Sequence, residues 1–248
     1  MPSSNTTIET EVPEMLARQA RASGQRFTFH SSRAVLHQVD EESLAQMVRE
    51  GDRCAAELSD ARVEAIVYAC LIALMAEGAG AHDRVEARMA EVAAANGSPT
   101  PVISSAGALV RVLHTLGAQR VAIITPYMKP LTDLVIRYLS AHDIDVVDAI
   151  SLEVADNVEV GRLEPAGLIP LARRLDTAKA DAVIVSACVQ MPSLPVIAAV
   201  ERELELPVLS AATATVFELL GKLDLEPRVS DAGSLLAGAQ PALATGLN

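Results

Sequence analysis

One internal repeat constrains this chain more than any other feature. The stretch Ala61-Arg-Val-Glu-Ala-Ile-Val-Tyr-Ala-Cys70 returns, one residue longer, as Ala178-Lys-Ala-Asp-Ala-Val-Ile-Val-Ser-Ala-Cys188. Pro101-Val-Ile-Ser104 returns as Pro207-Val-Leu-Ser210, and each copy leads into a helical pattern. A repeated sequence implies a repeated supersecondary unit. The predicted fold class is therefore α/β, with two similar domains related by a pseudo-dyad, each a parallel sheet flanked by helices. In open sheets of this kind ligands gather at the carboxyl ends of the strands. Cys70 and Cys188 each follow such an end, which should set the two thiols facing each other in one cleft between the domains.

The rest of the chain fits this frame. Short β-rich runs alternate with helical periodicities, as βαβ units require. Strands are predicted over 26–30, 64–69, 101–103, 120–125, 145–150, 182–187 and 207–209. Helices are predicted over 42–58, 84–95, 106–116, 131–141, 166–175, 194–204 and 213–223. One asymmetry stands out. Strand 120–125 runs into Pro126-Tyr127, whereas the equivalent Pro2-Ser3-Ser4-Asn5 is preceded only by Met1. An interior strand missing from a sheet would leave two ladders unpaired. The expectation is that a strand and its lead-in, about 6–10 residues, belong before Met1.

Composition narrows the function. The chain is half hydrophobic with only 2% aromatic residues, so its core must be aliphatic; that suits helices on buried parallel strands. A formal charge of −12 without a basic cluster argues against nucleic acid or an anionic membrane as partner. The longest apolar run, 65–76, is too short to span a bilayer, and the N-terminus does not read as a signal peptide. Three cysteines, an odd number, do not make a disulfide framework. A soluble, cytoplasmic protein is expected.

Few residues can carry chemistry. Cys54, inside a predicted helix and without a counterpart in the repeat, reads as a small buried hydrophobe. Cys70 and Cys188 recur at equivalent strand ends. There a thiol activated by backbone N–H groups is a nucleophile toward an electron-poor double bond, or a proton shuttle. Thr6 and Glu9 have the spacing of a capping box, and Asn5 beside them is the better ligand candidate. Tyr127 and Asn157 follow the next two strands. Tyr127 reads equally as a packed ring or as a donor to a carboxylate, and Asn157 equally as a turn residue. Ser31, Ser32 and Arg33 follow strand 26–30, with Arg33 read as a solvated surface residue. His30, His37, His82, His114 and His142 are scattered, and no zinc, nucleotide-binding or nucleophile-elbow motif occurs. What remains is chemistry on two thiols, with neither metal nor cofactor.

Beyond these readings, PSSNTTIETEVP (2–13), FTFHSSR (27–33), YACL (68–71), PVISSAGALV (101–110), TPYMKPLT (125–132), ADN (155–157) and SACVQMPSLP (186–195) resemble the maleate cis-trans isomerases of the aspartate/glutamate racemase superfamily. Racemases of that superfamily usually carry Asn-Thr after a site cysteine, where this chain has Leu71 and Val189. The resemblance implies cofactor-independent isomerisation of maleate to fumarate through a succinyl-cysteine. It assigns Cys70 as nucleophile and Cys188 as its acid/base partner, with Asn5, Tyr127 and Asn157 on the substrate carboxylates. It also implies a homodimer, and domains whose last helices cross over, so that 1–104 plus 212–248 form the first and 105–211 the second. A two-cysteine amino-acid or hydantoin racemase and a non-catalytic small-carboxylate binding protein are the alternatives.

Overall fold

The computed structural model describes residues 1–36 and 39–238. Its elements in chain order are α1 (Ile8–Ser23), α2 (Glu41–Asp60), β1 (Ile66–Tyr68), α3 (Leu71–Ala76), α4 (Ala81–Ala95), β2 (Val102–Ser104), α5 (Ser105–Thr115), β3 (Arg120–Thr125), α6 (Lys129–Ser140), β4 (Asp145–Ser151), α7 (Asn157–Val160), α8 (Leu168–Ala172), β5 (Ala182–Ser186), α9 (Ile197–Leu204), β6 (Val208–Ser210) and α10 (Ala211–Lys222). Two parallel sheets result, one of β1 and β2, the other in the order β4-β3-β5-β6. The fold is α/β, with helices packed on both.

In the second sheet β3 and β5 lie inside, and their Val and Ile side chains are almost completely buried. That double-sided burial is why both segments read as unbroken apolar runs. Each fully buried Ile or Val contributes roughly 1.5–3 kcal/mol of transfer free energy. β2 and β6 each end in a serine that caps the next helix. Ser104 Oγ accepts from Gly107 N at 3.0 Å, and Ser210 forms a reciprocal capping box with Thr213. The two capped helices, α5 and α10, pack against each other. Small buried residues, Ala106, Ala108, Ala211 and Ala214, let their backbones approach.

Two expectations need correction. Segment 26–30 is not a strand. An extended segment needs a ladder partner for its backbone groups, and pairing begins only at Ala34. Ala34 N donates to Met1 O at 2.9 Å, Ser3 N donates to Ala34 O at 2.7 Å, and Pro2 and Ala34 form an isolated parallel bridge. Between this segment and β1 runs a groove of about 690 Å3, with Ala65, Val67 and Ala69 on one wall and Phe27 and Phe29 on the other. The Thr6–Glu9 capping box also does not form. Helix α1 begins at Ile8, Glu9 pairs with Arg33, and other side chains take the free N–H groups. Arg33 is therefore not merely solvated; it also donates to Ser3 O and Asn5 O at 2.8 and 3.0 Å.

Among the described residues no helix is long and apolar enough to cross a membrane. His82 and His142, distant in sequence, pack with ring centroids 5.0 Å apart beside Tyr138. His30 lines the groove, and His37 lies outside the described residues. No group of three His, Cys, Asp or Glu side chains among the described residues could hold a metal ion.

Candidate active site

Both repeated strands deliver a cysteine to the start of the next turn. Cys70 is the N-cap of α3, in extended conformation. Its side chain makes no capping hydrogen bond, although the Ala73 N–H, the third of that helix, favours its charged form. Cys188 opens an irregular turn after β5, where the Gln190 N–H points at its sulfur at 3.4 Å. The Tyr127 hydroxyl lies beside this sulfur, and the Met191 N–H donates to the Cys188 carbonyl at 3.4 Å. Both thiols are buried.

The three groups are close enough to perturb one another. Burial pushes the Cys70 thiol up to about 12, the Ala73 N–H works against the shift, and the proximity of Cys188 adds to it. Burial also raises Cys188, opposed by the Tyr127 hydroxyl and the Gln190 and Met191 N–H groups. Tyr127 is raised well above its ordinary value, first by burial and then by both cysteines. At neutral pH Tyr127 is therefore a neutral donor.

Asn5 and Asn157 complete the surroundings from two further loops. Asn5 is buried; its Oδ1 accepts from Ile8 N at 3.0 Å, doing the capping that Thr6 does not. Its Nδ2 donates to Val189 O at 3.4 Å, next to Cys188. Asn157 Nδ2 donates to Ser4 Oγ at 2.7 Å. Asn157 is thus more than a turn residue, although it also begins α7. A cavity of about 520 Å3 is lined by Tyr127 and Asn157 with Val39, Leu131, Val154 and Val160. The larger groove beside β1 contains none of the five predicted site residues. The smaller cavity reaches two of them, Tyr127 and Asn157, and neither cysteine lines it.

Two residues that sequence reasoning missed hold these loops. Gln190 is buried and bonds to the loop of Ser4 to Thr7 and to Asn157. Glu11, also buried, accepts from Ser193 N and Leu194 N at 2.6 and 2.7 Å, tying α1 to the Cys188 turn. Burial raises its carboxyl above the usual range, and those two N–H groups moderate the shift. Their signal was a polar residue within an otherwise apolar or helix-facing stretch, which carries no motif.

The arrangement is two buried thiols, a neutral phenol and two amides, with no charged base beside the sulfurs. It suits a small anionic, electron-poor substrate. Comparison with known proteins agrees. The arylmalonate decarboxylase family profile matches residues 12–236. A maleate isomerase of Geobacillus stearothermophilus is 55% identical over 239 residues, covering 96% of this chain and 95% of that protein. The crystal structure of the maleate isomerase from Pseudomonas putida S16 with maleate superposes at a TM-score of 0.95 with 47% identity, covering 96% of each chain. The Nocardia farcinica maleate cis-trans isomerase, as a cysteine-to-serine mutant with a covalently bound succinylcysteine intermediate, has a TM-score of 0.91 and 49% identity over 95% of each chain. The chain belongs to the arylmalonate decarboxylase family and, within it, to the maleate isomerases.

Proposed function

We propose that this chain isomerises maleate to fumarate with Cys70 as nucleophile and Cys188 as its proton partner. The observation that carries the assignment is the unequal hydrogen bonding of two equivalent thiols. The Gln190 N–H meets the Cys188 sulfur at 3.4 Å, whereas the Cys70 side chain makes no capping hydrogen bond. Negative charge on sulfur is therefore better tolerated at Cys188, which suits it to take the Cys70 proton.

Rotation about the maleate double bond is blocked until its π bond is removed. With Cys188 entering as the thiolate, its sulfur takes the Cys70 S–H proton, and the Cys70 sulfur bonds to one alkene carbon. The π pair moves to the other carbon and toward its carboxylate. Tyr127 and the amides of Asn157 and Asn5 stabilise that charge by donating to the carboxylate oxygens. The Cys188 S–H can hold its proton or lend it to the carbanion. Rotation about the new single bond, return of the pair and loss of the Cys70 sulfur release fumarate. No atom is gained or lost.

The domain division, 1–104 plus 212–248 and 105–211, goes with this reading. Two separate sheets, each ending in a site cysteine, support it; residues 239–248 of the first domain lie outside the described residues. The homodimer rests on the resemblance. Three unpaired cysteines suit a reducing cytoplasm.

The test is covalent trapping. Incubation with maleate, acid quenching and peptide mass mapping should place one succinyl group on Cys70, while proton NMR follows fumarate. An adduct on Cys188 alone would reverse the two roles.

A further inference from the structure

Gln190 sits two residues beyond Cys188 and its side chain is 2% exposed. An amide has two acceptor lone pairs and two N–H donors, and here all four are used. Oε1 accepts from Thr6 N at 2.9 Å and from Thr7 N at 3.3 Å. Nε2 donates to Asn157 O at 2.8 Å and to Ser4 O at 3.2 Å. The backbone of the same residue is engaged too. Its N–H meets the Cys188 sulfur, and its carbonyl accepts from Thr7 Oγ1 at 2.6 Å.

We propose that Gln190 is the positioning residue of this site, a clasp that fixes the two carboxylate-binding amides relative to each other and to Cys188. Its partners Ser4 and Thr6 flank Asn5, and its partner carbonyl belongs to Asn157. Maleate has two carboxylates at a fixed cis separation, so the spacing of their donors decides whether both are met at once. The Gln190 side chain touches no reacting atom in this scheme; only its backbone N–H meets the Cys188 sulfur. It acts through Asn5, Asn157 and Cys188, and the inference rests on the site assignment proposed above.

Gly161 supplies an independent observation. A Cβ there would lie 2.6 Å from Gln190 Nε2 and 2.7 Å from Thr6 Oγ1. The backbone at Gly161 is ordinary helical, with φ −68°, so only this close approach calls for glycine. Gly161→Ala would press on the clasp while leaving every hydrogen-bonding group present. Gln190→Glu keeps an acceptor for Thr6 and Thr7 but turns a carboxylate toward the Ser4 and Asn157 carbonyls.

The test measures kcat and KM for maleate in Gln190→Ala, Gln190→Glu and Gly161→Ala, with melting temperature and the rate of Cys70 alkylation by iodoacetamide. KM is expected to rise about tenfold or more in each, the effect of losing one or two buried hydrogen bonds that orient substrate. Cys70 alkylation should stay within about twofold of the parent rate, because its turn and the Ala73 N–H are untouched. Lower melting temperatures with parental KM in all three would make Gln190 merely structural and overturn the proposal. If the Gln190 variants do not fold, Gly161→Ala decides by the same criterion. A parent protein without maleate turnover would instead sink the site assignment itself, whatever the variants do.

Discussion

The two cysteine turns begin from nearly the same sequence and end in different chemistry. Cys70 stands at the N-cap of a regular helix without a side-chain capping bond, and the residues after it, Leu71 to Met75, are buried. Cys188 enters Val189-Gln190-Met191-Pro192, where Pro192 disfavours helix at Met191 and the chain delays α9 until Ile197. The irregular turn sets the Gln190 N–H 3.4 Å from the sulfur and brings Tyr127 beside it. A repeat thus supplies two thiols, and the local turn decides which one is better able to hold charge.

The sharpest way to break this comparison is to exchange the sulfurs for oxygen one at a time. Cys70→Ser should lower kcat about a thousandfold or more, because a serine hydroxyl lacks a neighbouring strong base and adds poorly to an alkene. Loss of the ultraviolet absorbance of maleate is the readout. Near-parental activity in this variant would end the covalent mechanism. Cys188→Ser should lower kcat roughly a hundredfold, the usual scale for removing a proton-transfer group. This variant should still accumulate the succinyl adduct on Cys70, and its absence by mass mapping would mean that Cys188 also controls addition.

Tyr127→Phe sharpens the contrast by removing the hydroxyl that works against the burial shift of Cys188. A roughly tenfold loss of kcat is expected. The sign of the pH effect is fixed. Taking away a donor to the sulfur raises the Cys188 pKa further, so the limb on which kcat/KM rises with pH should move to higher pH. An unmoved limb would separate Tyr127 from the thiol.

The smallest effect concerns Glu11, which braces only the Cys188 turn. Its carboxyl is raised on folding, so folding takes up protons there, and the stability tied to its neutral form is lost as pH rises from the ordinary carboxyl range through the raised value. Glu11→Gln retains an acceptor for Ser193 N and Leu194 N without the buried charge. Its melting temperature should match the parent near pH 4 and exceed it by a few degrees near pH 8, on the order of 1 kcal/mol for a domain of this size. Equal melting temperatures at both pH values would mean that Glu11 is ionised without cost.

Much of this was legible in the chain. The 182–187 and 120–125 runs announced themselves as interior strands because both faces are buried. The serines ending β2 and β6 lead directly into helices that they cap. The repeat singled out both cysteines and strand-end logic favoured Asn5, whereas Tyr127 and Asn157 stayed undecided until the family resemblance. Segment 26–30 misled because apolar alternation reports burial and not pairing, and a strand exists only where a neighbour accepts its ladder. Thr6 and Glu9 misled for a related reason. A capping box competes with any better-placed acceptor, and here Asn5 takes the Ile8 N–H while Gln190 takes those of Thr6 and Thr7 just before α1.

The sequence by itself therefore determined the α/β architecture and set two thiols at equivalent strand ends. These follow from periodicity and repetition, which act between near neighbours in the chain. Only the tertiary structure decided which donors meet which sulfur, and that Gln190 and Glu11 close the site. Those contacts join residues more than 180 positions apart, and a hydrogen bond at that range depends on geometry that no local pattern encodes.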